Sequence, residues 1–149
     1  MKVSDILRHK AAIGAATGGA KVVTIAPDAP VTDLLAALAE YKIGALIVVD
    51  GETAVGIASE RDVVRRLNER GAALLDATIG EVMTSPVLSC SSHDLVDSVA
   101  ATMTERRVRH MPVIDDGKLV GIVTIGDVVL SRTRQLEQDR RQLEQYITG

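Results

Sequence analysis

The sequence contains almost no aromatic side chains. Its 149 residues include two tyrosines, Tyr41 and Tyr146, and neither phenylalanine nor tryptophan. A site that binds a planar ligand by aromatic stacking is therefore excluded, and any planar ligand must be held by aliphatic side chains and backbone. Cysteine is equally scarce, because Cys90 stands alone and cannot form an internal disulfide. A lone cysteine fits a reducing compartment, and we expect a cytoplasmic location.

Long apolar runs and a strong charge of one sign are also missing. There is no stretch of about 18 apolar residues and no secretory signal pattern, so we expect neither a membrane span nor export. The formal net charge of −3 is mild, and it indicates no nucleic-acid surface. With 149 residues, 46% of them hydrophobic, the chain is long enough for one compact body or two small ones.

Motifs of several common active sites are absent. The sequence has no Gly-rich phosphate loop of the GxxxxGK type and no nucleophile elbow. His9 and His93 are isolated, so no His/Cys/Asp cluster has the spacing of metal ligands. We therefore predict no catalytic residues, no metal and no catalytic cofactor, and we predict that the chain is not an enzyme.

One ten-residue stretch, by contrast, occurs twice. Residues 55–64 are Val-Gly-Ile-Ala-Ser-Glu-Arg-Asp-Val-Val, and residues 120–129 are Val-Gly-Ile-Val-Thr-Ile-Gly-Asp-Val-Val. Each copy predicts a strand and then a helix, with Ser59 or Thr124 at the N-cap and Asp62 or Asp127 at the third helical position. The structural interpretation is a pair of capping boxes. The functional one is a pair of carboxylates held at the positive ends of two helix dipoles.

The two stretches belong to a longer repeat without gaps. Asp127 follows Asp62 by 65 positions (127 − 62), and the same offset relates Val22 to Val87 and Asp50 to Asp115. A fixed period with matched apolar and turn positions indicates two copies of one supersecondary unit. Because neither copy buries enough surface alone, we expect the two to pack face to face.

Apolar periodicity and turn residues predict the same order of elements in both copies. In the first copy they predict strand 21–25, helix 31–41, strands 45–49 and 55–58, and helix 62–70. In the second they predict strand 87–90, helix 95–106, strands 111–114 and 119–124, and a helix from 126. A short leading helix is expected at 1–7 and again at 78–83, with a Gly/Ala-rich loop at 8–20.

These elements predict an α/β fold with a mixed sheet, built from two pseudo-symmetric β-α-β-β-α units. The expected division is 1–75 for the first unit, 76–130 for the second and 131–149 for a polar C-terminal helix. The narrow apolar stripe of that helix fits packing either on its own domain or on a second subunit, and its charges are interpreted as a solvated face.

From about Val22 to Val129, this order of elements with its Val-Gly-Ile and Ser/Thr-x-x-Asp motifs resembles the CBS domain, the regulatory unit named after cystathionine β-synthase. The resemblance implies a tandem pair that binds an adenine nucleotide (AMP, ADP, ATP or NAD(H), or else S-adenosylmethionine) in the cleft between its two units. It also implies a homodimer and a conformational signal to a partner protein. The alternatives are a structural or adaptor protein with a vestigial pocket and, weakest, an enzyme acting on a nucleotide.

The resemblance assigns roles to particular residues. An ionised Asp only accepts hydrogen bonds and can take both hydroxyls of a ribose; this role falls to Asp62 and Asp127, with Ser59 and Thr124 assisting at ribose or phosphate. The adenine is expected between aliphatic residues of the facing strands: Val23, Ile43, Gly44 and Ala45 in one copy, and Val87, Val108 and Met111 in the other.

Phosphate contacts are expected mainly in the second copy. Arg109 and His110 resemble the family's basic pair ahead of a strand proline, and Arg107 is a weaker candidate. Their neutral counterparts in the first copy leave Arg61 as the candidate cation there, so the site of Asp127 is expected to be the better equipped for phosphate. The structural alternative for the arginine-rich stretch is a solvated helix end, where cations are favoured.

Overall fold

Both copies contain the expected helix, β-hairpin and following helix. In a computed structural model that describes residues 1–17 and 22–148, the first copy contains β1 (Thr24–Ile25), α2 (Val31–Tyr41), β2 (Ala45–Asp50), β3 (Thr53–Ser59) and α3 (Glu60–Arg70). The second contains α5 (Val96–Arg106), β4 (His110–Asp115), β5 (Lys118–Thr124) and α6 (Ile125–Thr148). Helix α1 (Val3–Thr17) precedes the first copy, and a 3₁₀-helix (Gly71–Asp76) and α4 (Ile79–Val82) precede the second.

The sheets have mixed strand directions, which confirms the predicted α/β class. Strand β1 pairs in parallel with β2, because helix α2 carries the chain back between them. Strand β2 pairs antiparallel with β3 through a tight hairpin, from Ala45 opposite Ser59 to Asp50 opposite Thr53. Strands β4 and β5 form a separate two-stranded hairpin.

The two copies share the same backbone conformation at positions 65 residues apart. Helices α2 and α5 both end in a left-handed residue, Lys42 with φ 53° and Arg107 with φ 55°. The amide N–H of the next residue then bonds back into the helix, from Ile43 to the Leu38 carbonyl at 3.3 Å and from Val108 to the Met103 carbonyl at 3.1 Å. The internal repeat is therefore a repeat of geometry as well as of sequence.

The described chain divides into two compact units. We call the one that contains residues 1–17, 90–111 and 122–148 the terminal unit, and the one that contains 22–89 and 112–121 the central unit. This partition by contacts does not test the predicted division by repeat, which stays a prediction.

Each unit buries its own apolar side chains. In the central unit Leu34, Leu38, Leu46, Val48, Ala58 and Ile79 form one cluster, and Val31, Leu74, Ala77 and Val82 form another. The buried positions of α2, which are 31, 34 and 38, follow the helical period that predicted this helix. In the terminal unit the buried side chains include Val3, Ile6, Val96, Val99, Met103 and Val128, on helices α1, α5 and α6.

Two sequence-based expectations are wrong. Residues 8–17 continue helix α1 instead of forming a loop, and the four alanines of this stretch explain why, since alanine has the highest helix propensity. Residues 18–20 of the expected loop lie outside the described residues. Residues 87–89 form no strand and Cys90 makes an isolated β-bridge, so within the described residues the second copy has a two-stranded β4–β5 sheet instead of three strands. Strand β1 is also shorter than expected, and Lys21 at its predicted start lies outside the described residues.

Helix α6 absorbs the polar tail into one helix of 24 residues. Beyond Arg134 its described side chains are exposed, including Leu136, Leu143 and Ile147. The predicted C-terminal helix is therefore present as the continuation of the helix that carries Asp127. None of the helices in the described ranges combines the length and the apolar character needed to cross a membrane.

Candidate functional site

Both Ser/Thr-x-x-Asp motifs form capping boxes. The Asp62 amide donates to Ser59 Oγ at 3.2 Å, and the Ser59 amide donates to Asp62 Oδ2 at 2.9 Å. In the second copy the Asp127 amide donates to Thr124 Oγ1 at 3.1 Å, and the Thr124 amide donates to Asp127 Oδ2 at 2.9 Å. The structural interpretation of the motif thus holds in both copies, and it occupies one oxygen of each carboxylate.

The helix starts also lie beside the loops that lead into β2 and β4. The first amide of α3, from Glu60, donates to the Gly44 carbonyl at 3.0 Å, and the first amide of α6, from Ile125, donates to the Arg109 carbonyl at 2.9 Å. These bonds bring the predicted residues Gly44 and Arg109 next to the helix starts that carry the two aspartates.

Asp62 is saturated by protein donors. Its side chain is only 7% exposed, and besides the Ser59 amide it accepts from Ser59 Oγ at 2.9 Å, Arg65 Nη2 at 3.0 Å and Thr84 Oγ1 at 2.9 Å. A carboxylate offers about four acceptor positions. A ribose diol would therefore have to displace Thr84 or Arg65.

Thr84 reaches Asp62 because its backbone pairs with β3. The Thr84 amide donates to the Ile57 carbonyl at 2.8 Å, and the Ile57 amide donates to the Thr84 carbonyl at 3.1 Å. The chain approaches so closely here that a Cβ on Gly56 would lie 2.6 Å from Met83 Sδ and 2.9 Å from the Thr84 carbonyl oxygen. The glycine of the repeated Val-Gly-Ile motif in this copy is thus required by close packing.

Asp127 keeps acceptor capacity. Its side chain is 19% exposed, and Oδ2 accepts from the Thr124 amide and from Lys10 Nζ, the latter at 2.9 Å. Lys10 Nζ also donates to the Ile122 carbonyl at 2.8 Å, which ties helix α1 to the end of β5. Within the described residues, Asp127 Oδ1 accepts no hydrogen bond. This carboxylate can therefore still accept a ligand hydroxyl.

A cavity of about 180 Å³ lies beside Asp127, inside the terminal unit. Its walls are helices α1 and α6. The residues that line it are Met1, Asp5, Ile6, His9, Lys10, Asp127, Leu130, Ser131, Arg134 and Gln138.

Most of the charges around this cavity are paired. Asp5 accepts from the Lys2 amide at 2.9 Å and forms an ion pair with Arg8, and these two donors lower the pKa of its carboxyl. Lys10 pairs with Asp127. Arg134 is half-buried and, among the described residues, has no hydrogen bond or ion pair. Its guanidinium therefore lines the cavity without a hydrogen bond or ion pair to any described residue.

The predicted site residues divide between the two units. The central unit contains Val23, Ile43, Gly44, Ala45, Ser59, Arg61, Asp62 and Val87, and the terminal unit contains Arg107, Val108, Arg109, His110, Met111, Thr124 and Asp127. Val87 thus belongs to a different unit from Val108 and Met111, the residues with which it was expected to hold the adenine. Ala45 and Met111 are buried, whereas Arg61, Arg107 and Arg109 are exposed. Of the predicted residues, only Asp127 lines the cavity described above.

Sequence reasoning missed the residues that distinguish the two aspartates. Arg65 lies three positions after Asp62 on one helix, a spacing that could have indicated the pair. Lys10 and Thr84 have no such signal, since they reach their aspartates across 117 and 22 positions. Within the described ranges, no group of three or more His, Cys, Asp or Glu side chains is placed to hold a metal ion.

Comparison with known proteins gives one consistent result. The family model of the CBS domain matches residues 18–69 and 79–132. Over 152 residues the chain is 29% identical to the mitochondrial CBS domain-containing protein CBSX3 of Arabidopsis thaliana, covering 99% of this chain and 72% of that protein.

Two solved structures share the fold. The CBS-domain-containing protein ATU1752 of Agrobacterium tumefaciens superposes with a TM-score of 0.80 at 37% identity, covering 89% of this chain and 99% of that one. CBSX2 in complex with AMP superposes with a TM-score of 0.67 at 30% identity, covering 76% of this chain and 89% of that one.

Proposed function

Because this chain belongs to the CBS domain family and carries two tandem copies of the domain, we propose that it is a regulatory module that binds an adenine nucleotide through Asp127. The ligand class comprises AMP, ADP, ATP and NAD(H)-type molecules. The bound nucleotide signals to a partner protein by a conformational shift. The cleft between the two repeats, the homodimer and the cytoplasmic location remain predictions within this proposal.

The observation that carries the proposal is the state of the Asp127 carboxylate. It has an oxygen that accepts no bond within the described residues, and it borders a cavity. A ribose presents two vicinal hydroxyl donors, and charge-assisted bonds to a carboxylate each contribute on the order of 1.5–3 kcal/mol. The AMP complex of the similar protein CBSX2 supports the choice of an adenine nucleotide.

The position of the cavity also supports a conformational signal. Its walls are two helices, α1 and α6, that are distant in sequence and joined at this point by Lys10 and Asp127. A ligand seated between them would fix their separation. A partner that recognises either helix would then distinguish the bound state from the ligand-free state.

We propose a regulatory function and not catalysis, because the two CBS copies account for most of the chain. A structural or adaptor role is the second candidate, and the saturated Asp62 favours it for the first copy, where four protein donors fill the carboxylate. On this view the chain carries one binding copy and one structural copy.

The test is a melting experiment with AMP, ADP, ATP, NAD, NADH and S-adenosylmethionine, each added separately to the full chain. A ligand present at about 100 times its dissociation constant should stabilise the fold by roughly 2.7 kcal/mol. We expect at least one nucleotide to raise the melting temperature and Asp127→Ala to abolish the increase. A panel without any increase would exclude the nucleotide sensor and leave the adaptor role.

A further inference from the structure

We propose that the cavity between α1 and α6 contains a phosphate subsite formed by Arg134 and Lys10, so that one cavity binds both the sugar diol and the phosphate of its ligand. This inference rests on the proposed function for the diol at Asp127. It differs from the sequence-based expectation, which assigned the phosphate to Arg109 and His110, because neither of those residues lines the cavity.

Arg134 lies on α6 seven residues after Asp127, two helical turns along the same face, so both side chains border the cavity. Its guanidinium has no partner among the described residues, although the side chain is half-buried. An anion that enters the cavity would give this guanidinium charge-assisted hydrogen bonds that it makes to no described residue.

The ammonium of Lys10 has three donors, of which two are directed to the Ile122 carbonyl and to Asp127 Oδ2. The third donor can bond a ligand oxygen without breaking either contact. The same ion pair therefore keeps Asp127 in place for the diol and leaves one N–H donor of Lys10 for a ligand oxygen.

The remaining lining groups agree with an anion at this place. Asp5 already forms an ion pair with Arg8 and accepts a hydrogen bond from the Lys2 amide. His9 Nε2 is buried and has no hydrogen-bond partner in the described part of the chain. A small movement of this ring toward an entering phosphate would satisfy it. A volume of about 180 Å³ is below the roughly 300–1,000 Å³ of typical ligand pockets, so it fits a sugar phosphate better than a whole nucleotide.

The test measures binding of AMP, adenosine and ribose 5-phosphate to the full chain by titration calorimetry. Arg134→Gln should weaken AMP and ribose 5-phosphate about tenfold or more and leave adenosine within about twofold, since it removes charge-assisted bonds to phosphate alone. Arg134→Lys, which keeps the charge, should recover part of the loss. The matched control is Arg141→Gln, which removes the same charge from an exposed position of the same helix outside the cavity.

The outcomes separate this inference from the proposed function. Equal loss of AMP and adenosine in Arg134→Gln, or a phosphate-specific loss in Arg109→Gln with none in Arg134→Gln, would overturn the subsite and leave nucleotide binding standing. Binding of ribose 5-phosphate alone, weakened by Arg134→Gln, would support the subsite and overturn the adenine nucleotide. No binding of any of the three would overturn both.

Discussion

The two aspartates of the internal repeat begin with the same local geometry and end with different roles. Asp62 and Asp127 each close a capping box with bonds of 2.9 Å from the N-cap amide. The other donors differ: Asp62 is filled by Ser59, Arg65 and Thr84, whereas among the described residues Asp127 receives one further donor, Lys10, and faces a cavity. A motif thus determines the cap, while residues remote in sequence decide whether the carboxylate can also bind a ligand.

The comparison explains why structural and functional interpretations of one motif need not compete. In the central unit the carboxylate joins β3, α3 and the segment at Thr84, which is a structural task. In the terminal unit the corresponding carboxylate keeps acceptor capacity in a cavity that Arg134 also lines. Duplication followed by divergence of the surrounding residues is sufficient to produce this difference.

The largest effect is expected from removing the saturated carboxylate. Asp62→Ala loses the cap, worth about 1 kcal/mol, and in addition the charge-assisted bonds of Thr84 and Ser59, so we expect a total loss of about 3 kcal/mol in the free energy of unfolding. The matched variant Asp127→Ala loses chiefly the cap and should cost about 1 kcal/mol. Urea denaturation of both variants measures the difference, and equal losses would contradict the assignment of a structural role to one copy.

The next effect concerns the close backbone approach that delivers Thr84 to Asp62. Gly56→Ala places a Cβ 2.9 Å from the Thr84 carbonyl oxygen, which is backbone and cannot move aside without breaking its bond to Ile57. We expect a loss of about 1–3 kcal/mol by the same urea assay.

The control for this variant lies in the second copy. Gly126→Ala meets nothing nearer than Thr124 Oγ1 at 3.6 Å, and it adds alanine near the start of a helix. It should be neutral or stabilising by up to about 1 kcal/mol. If Gly56→Ala were tolerated as well as Gly126→Ala, the packing of the segment at Thr84 against β3 would have to be revised.

The smallest effect on stability is expected from the cations that accompany each carboxylate. The side chains of Lys10 and Arg65 are 34% and 54% exposed, and solvent-screened pairs of this kind contribute about 0–1 kcal/mol. Lys10→Met and Arg65→Met should therefore change the free energy of unfolding by less than about 1 kcal/mol each. The two variants should differ in AMP affinity, which only Lys10→Met lowers. Equal AMP affinities in the two variants would show that Lys10 is not part of the ligand site.

The sequence predicted the parts of the fold that depend on local patterns. Helix α2 spans Val31–Tyr41 as its apolar spacing indicated, and both capping boxes follow from the Ser/Thr-x-x-Asp motif. The errors arose where the pattern was weak or the outcome depended on a partner. Residues 8–17 looked like a loop for their glycine and alanine content, and residues 87–89, where Ser89 interrupts the apolar run, form no strand.

The candidate site was less predictable than the fold. Asp127 was identified from the repeat, but Lys10, which ties it to α1, is 117 positions away and lay in the stretch interpreted as a loop. Arg134 was interpreted as part of a solvated helix face, because the sequence shows the charge of a residue but not whether the folded chain places a partner next to it. Contacts between distant segments carry no local signature, so these residues emerge only from the folded chain.

The most direct test of the central claim is the AMP affinity of the wild-type chain, Asp127→Asn and Asp62→Asn, measured well below the melting temperature of the least stable variant. The account predicts that Asp127→Asn weakens AMP at least about tenfold, because one charge-assisted acceptor is lost, whereas Asp62→Asn stays within about threefold of the wild type. A loss confined to Asp62→Asn, or an equal loss in both variants, would contradict it.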